Sequence, residues 1–490
     1  MKTFFAWMCC SSLVLTACST IKSSTPTPDN PPQQSPPTPL PTVVVSPKPA
    51  AITDPLATPD IKLLIEPVAT STDDSPIDLR ETPQLLIDPS GQKITFWHVW
   101  GAGATGETMA EIVKEFNEKN EWGIEIATAV HADYGELEYA VNSAVPKGET
   151  PNIITAYSNV LARLWQDGLL ADLNPYFEHP QFGFTKNEES DFYQAALEAG
   201  LVGADRIGFP ISQSGNVIFY NRTWAQELGF QTPPASSQEF KTQACAASRA
   251  NNSDGTGGFV LYPGTANLLS WIYAFDGDIF DKEGKYYSFD TPVSRDVAVF
   301  LKDLEDKGCS FETKSYPNPE FATRRAIFTT SSSVGCQYQQ KAFEKEAKYD
   351  DHWELIPFPG PSGNKAITIF PQMIGIVNHT PEQNLAAWLF IKHLNSPDIQ
   401  AKWAVGSQYY PVRVSAVSLL SEFITGHPQW ASGLELLSFA QAEPTRPSWG
   451  LVRHYMQETF SDILQVEPDK IDQMLASLDL VSIEAIAETE

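Results

Sequence analysis

Basic residues are scarce in this chain: 33 Lys and Arg stand against 60 Asp and Glu, a formal charge of −27. A surface of that sign repels phosphate backbones and anionic lipid, which argues against nucleic acid as a partner. Cysteine is rarer still, six in 490 residues, and no Cys-x-x-Cys or Cys-His spacing is present to hold zinc. No metal and no cofactor is expected. Beyond the first residues no apolar run reaches membrane-spanning length. The G-x-S-x-G elbow, H-E-x-x-H and the phosphate-binding G-x-x-x-x-G-K-[ST] are all missing. A glycosidase needs two facing carboxylates, but in so acidic a chain any pair can be proposed. Asp276, Asp278 and Asp281 are spaced loosely like a calcium loop. They lack the terminal Glu of the calcium-binding pattern and read as a surface turn.

What is there begins with an export signal. Met1-Lys2-Thr3 leads into an apolar run from Phe4 to Leu15, then Leu15-Thr16-Ala17-Cys18. One charge, a short apolar core and small residues before a cut site make a signal peptide over 1–17. The quartet looks like the bacterial lipobox, which makes Cys18 the lipidated first residue of the mature chain. Cys9 and Cys10 leave with the peptide. Residues 18–91 are rich in Pro, Ser and Thr without periodicity, the composition of a semi-extended, disordered tether. The chain is thus expected outside the cytoplasm, lipid-anchored to the outer face of the cytoplasmic membrane, at a cell surface or in a periplasm. About 400 residues follow the tether, enough for two lobes rather than one core.

In that body, strand and helix patterns alternate. KITFWHVW (93–100) reads as a strand, and GETMAEIVKEFNEKN (106–120) puts Met109, Ile112, Val113 and Phe116 on one helical face. GIEIATAV and PNIITAY (151–157) read as further strands, GELEYAVNSAVPKG and NVLARLWQDGLLADL as helices. This is the alternation of an open, largely parallel sheet, an α/β class. Past Gly208 the pattern recurs: VIFYNR as a strand, SSQEFKTQACAASRAN as a helix capped by Ser237, RAIFTTSSS as a strand and AITIFPQMIGIVN as two short strands. Export permits a disulfide, and the helix-borne Cys245 and Cys309 are the favoured pair. That leaves Cys336 single and buried.

Gly101-Ala102-Gly103-Ala104-Thr105-Gly106 matches G-x-G-x-x-G between a strand and a helix. The bulky strand end Trp97, His98, Trp100 and the lack of an acidic residue after the second strand weigh against a dinucleotide. More telling is an aromatic beside small polar groups near successive element ends: Trp97 and Trp100, Tyr134, Gln213-Ser214, Trp271, Ser331 to Ser333, Gln372, Tyr409-Tyr410 and Trp449. Ligands of open α/β sheets sit at strand C-terminal ends. Aromatic faces with hydroxyls and amides suit sugar rings.

With these segments assembled, the chain resembles the extracellular solute-binding proteins of carbohydrate ABC importers, the group of maltose- and glycerol-3-phosphate-binding proteins. ITFWHVWGAGATGETMAEIVKEFNEKN, DYGELEYAV, TPNIITAYSNVLARLWQDGLLADLNPYF, RIGFPISQSGNVIFYNRTWAQELGF, RAIFTTSSSVG and GSQYYPVR carry the likeness, in family order. The resemblance implies a two-lobed periplasmic-binding-protein-like fold of type II, each lobe an open, mostly parallel sheet flanked by helices. The first lobe would hold 92–210 and 367–411, the second 211–366 and 412–490. It implies capture of a sugar or related polar solute and delivery to permease subunits, without catalysis; an exported glycoside hydrolase or dinucleotide-dependent oxidoreductase is the alternative. The cleft positions it implies are Trp100, Gly101, Tyr134, Gln213, Ser214, Trp271, Ser332, Ser333, Gln372, Tyr409 and Trp449. Glycerol-phosphate binders of this kind tend to carry an acidic residue soon after Phe-Trp-His and a Ser-Ser pair before the crossover strand. This chain has Trp-Gly-Ala and Gln-Ser instead.

Overall fold

The computed structural model describes residues 87–490. The signal peptide, Cys18 and nearly all of the tether lie outside the described residues. Within the expected tether span, Ile87 packs against core residues and the Gly91 N–H donates to the Trp122 carbonyl at 2.9 Å. The packed body therefore reaches back to Ile87, a few residues before the boundary placed at 92.

Three β/α units open it. Strand β1 (Lys93–His98) feeds helix α1 (Gly103–Lys119), β2 (Glu125–Val130) feeds α2 (Tyr134–Ala144), and β3 (Ile153–Ala156) feeds α3 (Ser158–Gln166). Helix α1 buries Met109, Ile112, Val113 and Phe116, the face its apolar spacing defines. Helix α2 starts at Asp133, whose carboxylate accepts the Glu136 N–H at 2.8 Å, the usual cure for an orphan N-terminal donor. β1 runs parallel to both β2 and β3, so all three strands end at one edge.

The sheet continues through two long strands, Lys365–Ile376 and Phe209–Asn221, and then through Ala326–Ser332, Gly257–Val260 and Ser310–Phe311. Pairing is parallel in the outer strands on both sides and antiparallel where the long strands meet each other, Ile153–Ala156 and Ala326–Ser332, while Ala440–Ala442 adds a short parallel pairing to Lys365–Ile376. All residues of Phe209–Asn221 are buried. The sequence pattern starts this strand only at Val217, with Gln213-Ser214-Gly215 ahead of it. The strand runs through because those polar groups are bonded inside the sheet. Likewise the two short strands expected within 366–378 are one strand, bulged between Gln372 and Met373. The helix expected to be capped by Ser237 is capped one residue earlier, where the Ser236 hydroxyl accepts the Glu239 N–H at 3.2 Å.

Apolar packing is divided. One cluster gathers Ile94, Phe96, Phe116, Phe209, Trp388 and Phe390; another gathers Tyr220, Phe240, Phe259, Trp271, Phe328 and Trp449; a third lies under α2 and α3 around Leu137, Val141 and Leu161. The long strands belong to both large clusters: Phe209 and Ile211 pack in the first, Ile218 and Tyr220 in the second. Val412 and Leu420 also join the first cluster, beyond the lobe boundary expected at 411. Cys245 and Cys309 form a disulfide across 64 residues, inside the second cluster, and Cys336 is free and buried.

Candidate functional site

The shared edge of β1, β2 and β3 is where the first group of expected residues gathers. The turn after β1 needs its glycines for space: a Cβ on Gly101 would lie 2.2 Å from a Val130 methyl, and one on Gly106 would lie 2.6 Å from the Gly101 carbonyl carbon. Gly103 adopts φ 58°, a left-handed conformation that glycine takes without strain. Close packing of strand and helix thus accounts for the G-x-G-x-x-G spacing. Trp100 is buried, stacked on His98 and edge-on to Trp403 at 5.2 Å, so it supports the turn from behind. Burial, helped by nearby His131, pulls the His98 imidazole down to about 4. Its neutral Nδ1 accepts the Trp100 N–H at 3.1 Å.

Tyr134, at the start of α2, lies with its ring centroid 4.5 Å from that of Tyr157, the residue after β3. Both are half-buried residues whose phenol groups are raised by burial, Tyr134 strongly. Tyr409 is raised by burial as well, and Tyr157 and Tyr338 are its next influences. After burial, the Tyr157 hydroxyl feels Arg453, Glu443 and Asp133 in turn. Tyr157 thus feels charges carried by segments far apart in the sequence. All these phenols stay protonated at neutral pH, able to donate to an oxygen and unable to act as bases.

Arg453 and Glu443 face each other at 3.3 Å, and Glu443 also accepts the Trp449 indole N–H at 2.8 Å. Glu443 is largely covered and Arg453 is two-fifths exposed. The Arg453 Nε–H has no partner within the protein.

A polar strip crosses the long strands nearby. The Ser212 hydroxyl donates to Gln372 Oε1 at 2.8 Å, and Gln213 exchanges two backbone hydrogen bonds with Tyr410. Gln213 Nε2 donates to the Pro411 carbonyl at 3.0 Å, while its Oε1 is buried without a partner. Ser333 Oγ accepts the Gly215 N–H at 3.1 Å, next to buried Ser214. Half-buried Ser332 pairs in register with Asn216. Asn216 continues the strip through Asn267 to Ser270 and Thr368. So Gln213, Ser214, Ser332, Ser333, Gln372 and the Tyr409-Tyr410 pair come together, and Trp100, Gly101 and Tyr134 meet at the neighbouring strand edge.

Trp271 and Trp449 do not join them. Both are 1% exposed. Trp271 lies mid-helix within Thr265–Ala274, ringed by Phe240, Phe275, Phe300 and Phe358. Trp449 stacks on Tyr287. Each packs in the second core, away from the polar strip, although the Trp449 indole N–H reaches Glu443. Conversely, Tyr157, Glu443 and Arg453 escaped the sequence reading. Tyr157 carried a usable signal, an aromatic directly after a buried strand; Glu443 and Arg453 carried none in so acidic a chain. The Asp276 to Asp281 segment is a turn in which Asp281 accepts the Lys285 N–H at 2.7 Å. Among the described residues no group of three His, Cys, Asp or Glu could hold a metal, and no helix is long and apolar enough to cross a membrane.

Against this geometry, the family model described as bacterial extracellular solute-binding protein matches residues 111–432. The sn-glycerol-3-phosphate-binding periplasmic protein of Yersinia pestis bv. Antiqua is 22% identical over 345 residues, 67% of this chain and 76% of that protein. The cyclic alpha-maltosyl-1,6-maltose binding protein of Arthrobacter globiformis superposes with a TM-score of 0.71 at 18% identity, over 81% of this chain and 99% of the other. A glycerophosphocholine complex of the Mycobacterium tuberculosis protein UgpB does so with a TM-score of 0.65 at 18% identity, over 81% and 99%. At such identities the structural likeness speaks to the fold, which is the two-lobed type II arrangement with crossover strands.

Proposed function

Because this chain belongs to the bacterial extracellular solute-binding proteins, we propose that it captures a neutral, polyhydroxylated solute, a sugar above all, in the cleft around Tyr157. The observation that carries this reading is chemical. Tyr134 and Tyr157 lie ring beside ring, the Tyr157 hydroxyl feels Arg453 and Glu443, and those two form a self-compensated pair. Aromatic faces take the apolar face of a sugar ring, while phenol hydroxyls and the spare Arg453 N–H serve its oxygens. An anionic solute would find the guanidinium already countered by Glu443, with Asp133 close by. The maltosyl ligand of one structural relative supports a saccharide; the glycerol-3-phosphate name of the sequence relative supports a smaller, charged solute. The charge balance favours the first.

In this reading Tyr134 and Tyr157 work with Tyr409, Gln213, Ser332 and Gln372 at the crossover. The lobes are 92–210 with 367–411, and 211–366 with 412–490, except that the chain at Val412 travels with the first lobe, whose Gln400 Oε1 accepts the Val412 N–H at 2.8 Å. Closure buries the solute, and leaving one of its hydroxyls unpaired costs about 1–3 kcal/mol, which is the source of selectivity. The closed form is what the permease of an ABC importer reads. Cys18 carries the lipid that keeps the protein at the outer face of the cytoplasmic membrane, and the protein turns over no substrate. Calorimetric titration of the mature chain with mono-, di- and trisaccharides and with glycerol 3-phosphate tests the reading. A saccharide that binds while glycerol 3-phosphate does not is the expected result; preference for the phosphate overturns the neutral-solute assignment.

A further inference from the structure

Helices α2 and α3 do not close completely over the face of β3 that they cover. Between them lies a cavity of about 130 Å³. Its wall is mostly aliphatic, with Leu137 and Val141 of α2, Ile154 and Ala156 of β3, and Val160 and Leu164 of α3, and Thr155 is the one uncharged polar side chain on it besides the two tyrosines. Tyr134 and Tyr157 line it too. The two rings that face the solute cleft are therefore also the partition between the cleft and this chamber. Glu138, the charged residue of the wall, is held by Arg163 at 2.8 Å and so is already compensated.

Protein interiors are packed to a density that leaves few such voids. An aliphatic cavity of about 150 Å³ stays dry and accepts a guest the size of benzene. A sugar carbon bearing several hydroxyls would find too few partners here, Thr155 being the one spare uncharged polar side chain, and each hydroxyl left unpaired costs about 1–3 kcal/mol. The suitable occupant is an apolar group, delivered from the cleft by the solute to which it is attached.

We infer that the chamber behind Tyr134 and Tyr157 is a subsite for a short apolar substituent, an alkyl or aryl group carried on the sugar. The inference rests on the solute-binding reading above and narrows the solute to glycosides with an apolar end. Titration calorimetry of the mature chain with matched pairs tests it: glucose against phenyl glucoside, and maltose against phenyl maltoside. For a sugar that binds, the phenyl member binds at least tenfold more tightly. Val160→Phe fills the chamber from its half-buried rim and removes that gain without weakening the parent sugar. Ala156→Val, a smaller intrusion from the strand, reduces the gain and guards against a folding defect in the first variant. Equal affinities within a pair show that the void is a packing defect only, and overturn the subsite while leaving the solute reading in place. A phenyl advantage that survives both substitutions places the ring elsewhere and also overturns it. If no sugar binds, parent or phenyl, the solute reading fails and the subsite with it.

Discussion

The proposed site centres on Tyr157. It follows a strand buried at every position, stacks near Tyr134, and stands within the fields of Arg453 and Glu443. Removing only its hydroxyl, Tyr157→Phe, should weaken the bound saccharide about tenfold, the worth of one buried hydrogen bond. Tyr157→Ala, which also removes the ring face, should weaken it by about a hundredfold or more. Calorimetry on both variants checks the order; equal losses would mean that the ring alone matters. His98 gives a second prediction at this scale. Its ordinary value of 6.5 is lowered to about 4 in the fold, first by burial and then by His131. Above pH 6.5 the ring is neutral both folded and unfolded. As the pH falls from there to about 4 the unfolded ring takes a proton that the folded one refuses, and stability drops by about 1.4 kcal/mol per pH unit. Denaturant unfolding at pH 7.5 and 4.5 should show a fall about 2–3 kcal/mol smaller in His98→Asn than in the parent, since asparagine keeps an acceptor for the Trp100 N–H.

Among elements, the crossover strands show how far sequence pattern reaches. The buried face of helix α1 was legible to the residue, because a one-sided helix writes that face at helical spacing, while its start at Gly103 lies three residues ahead of the expected one. Phe209–Asn221 was not, because a strand buried on both faces has no alternation. Its polar centre imitates a turn until Gln372, Ser333 and Tyr410 are seen to satisfy it. At the far end of that strand Asn221 and Arg324 both bond Asp351, a carboxylate only 1% exposed; Arg324 also binds Glu227. Arg324→Met should leave Asp351 buried with Asn221 as its remaining side-chain partner, costing about 3–5 kcal/mol in denaturant unfolding. The Cys245–Cys309 bond links two elements of the second cluster across 64 residues. Its replacement by serines should cost about 2–4 kcal/mol and leave solute affinity unchanged, since neither sulfur approaches the cleft.

For the whole molecule, the sequence carried the architecture further than the site. Alternating elements are local signals and could be read directly, and the cysteine pair followed from both residues falling in the same expected lobe. The membership of the cleft is not local. Trp271 and Trp449 share the composition of cleft aromatics, but the second core claims them. In the proposed site Glu443 and Arg453 would matter through their influence on Tyr157, which no sequence neighbour announces. What the fold adds is a seat built from distant segments, joined by strands that pass between two cores. The most direct test of that account is the melting temperature of the mature chain against a panel of saccharides, glycerol 3-phosphate and NADH. Ligand at a hundred times its dissociation constant adds about 2.7 kcal/mol to stability, so a true saccharide ligand should raise the melting point by several degrees in the parent and not in Tyr157→Ala. A panel in which no saccharide shifts the parent, or in which NADH alone does, would contradict it.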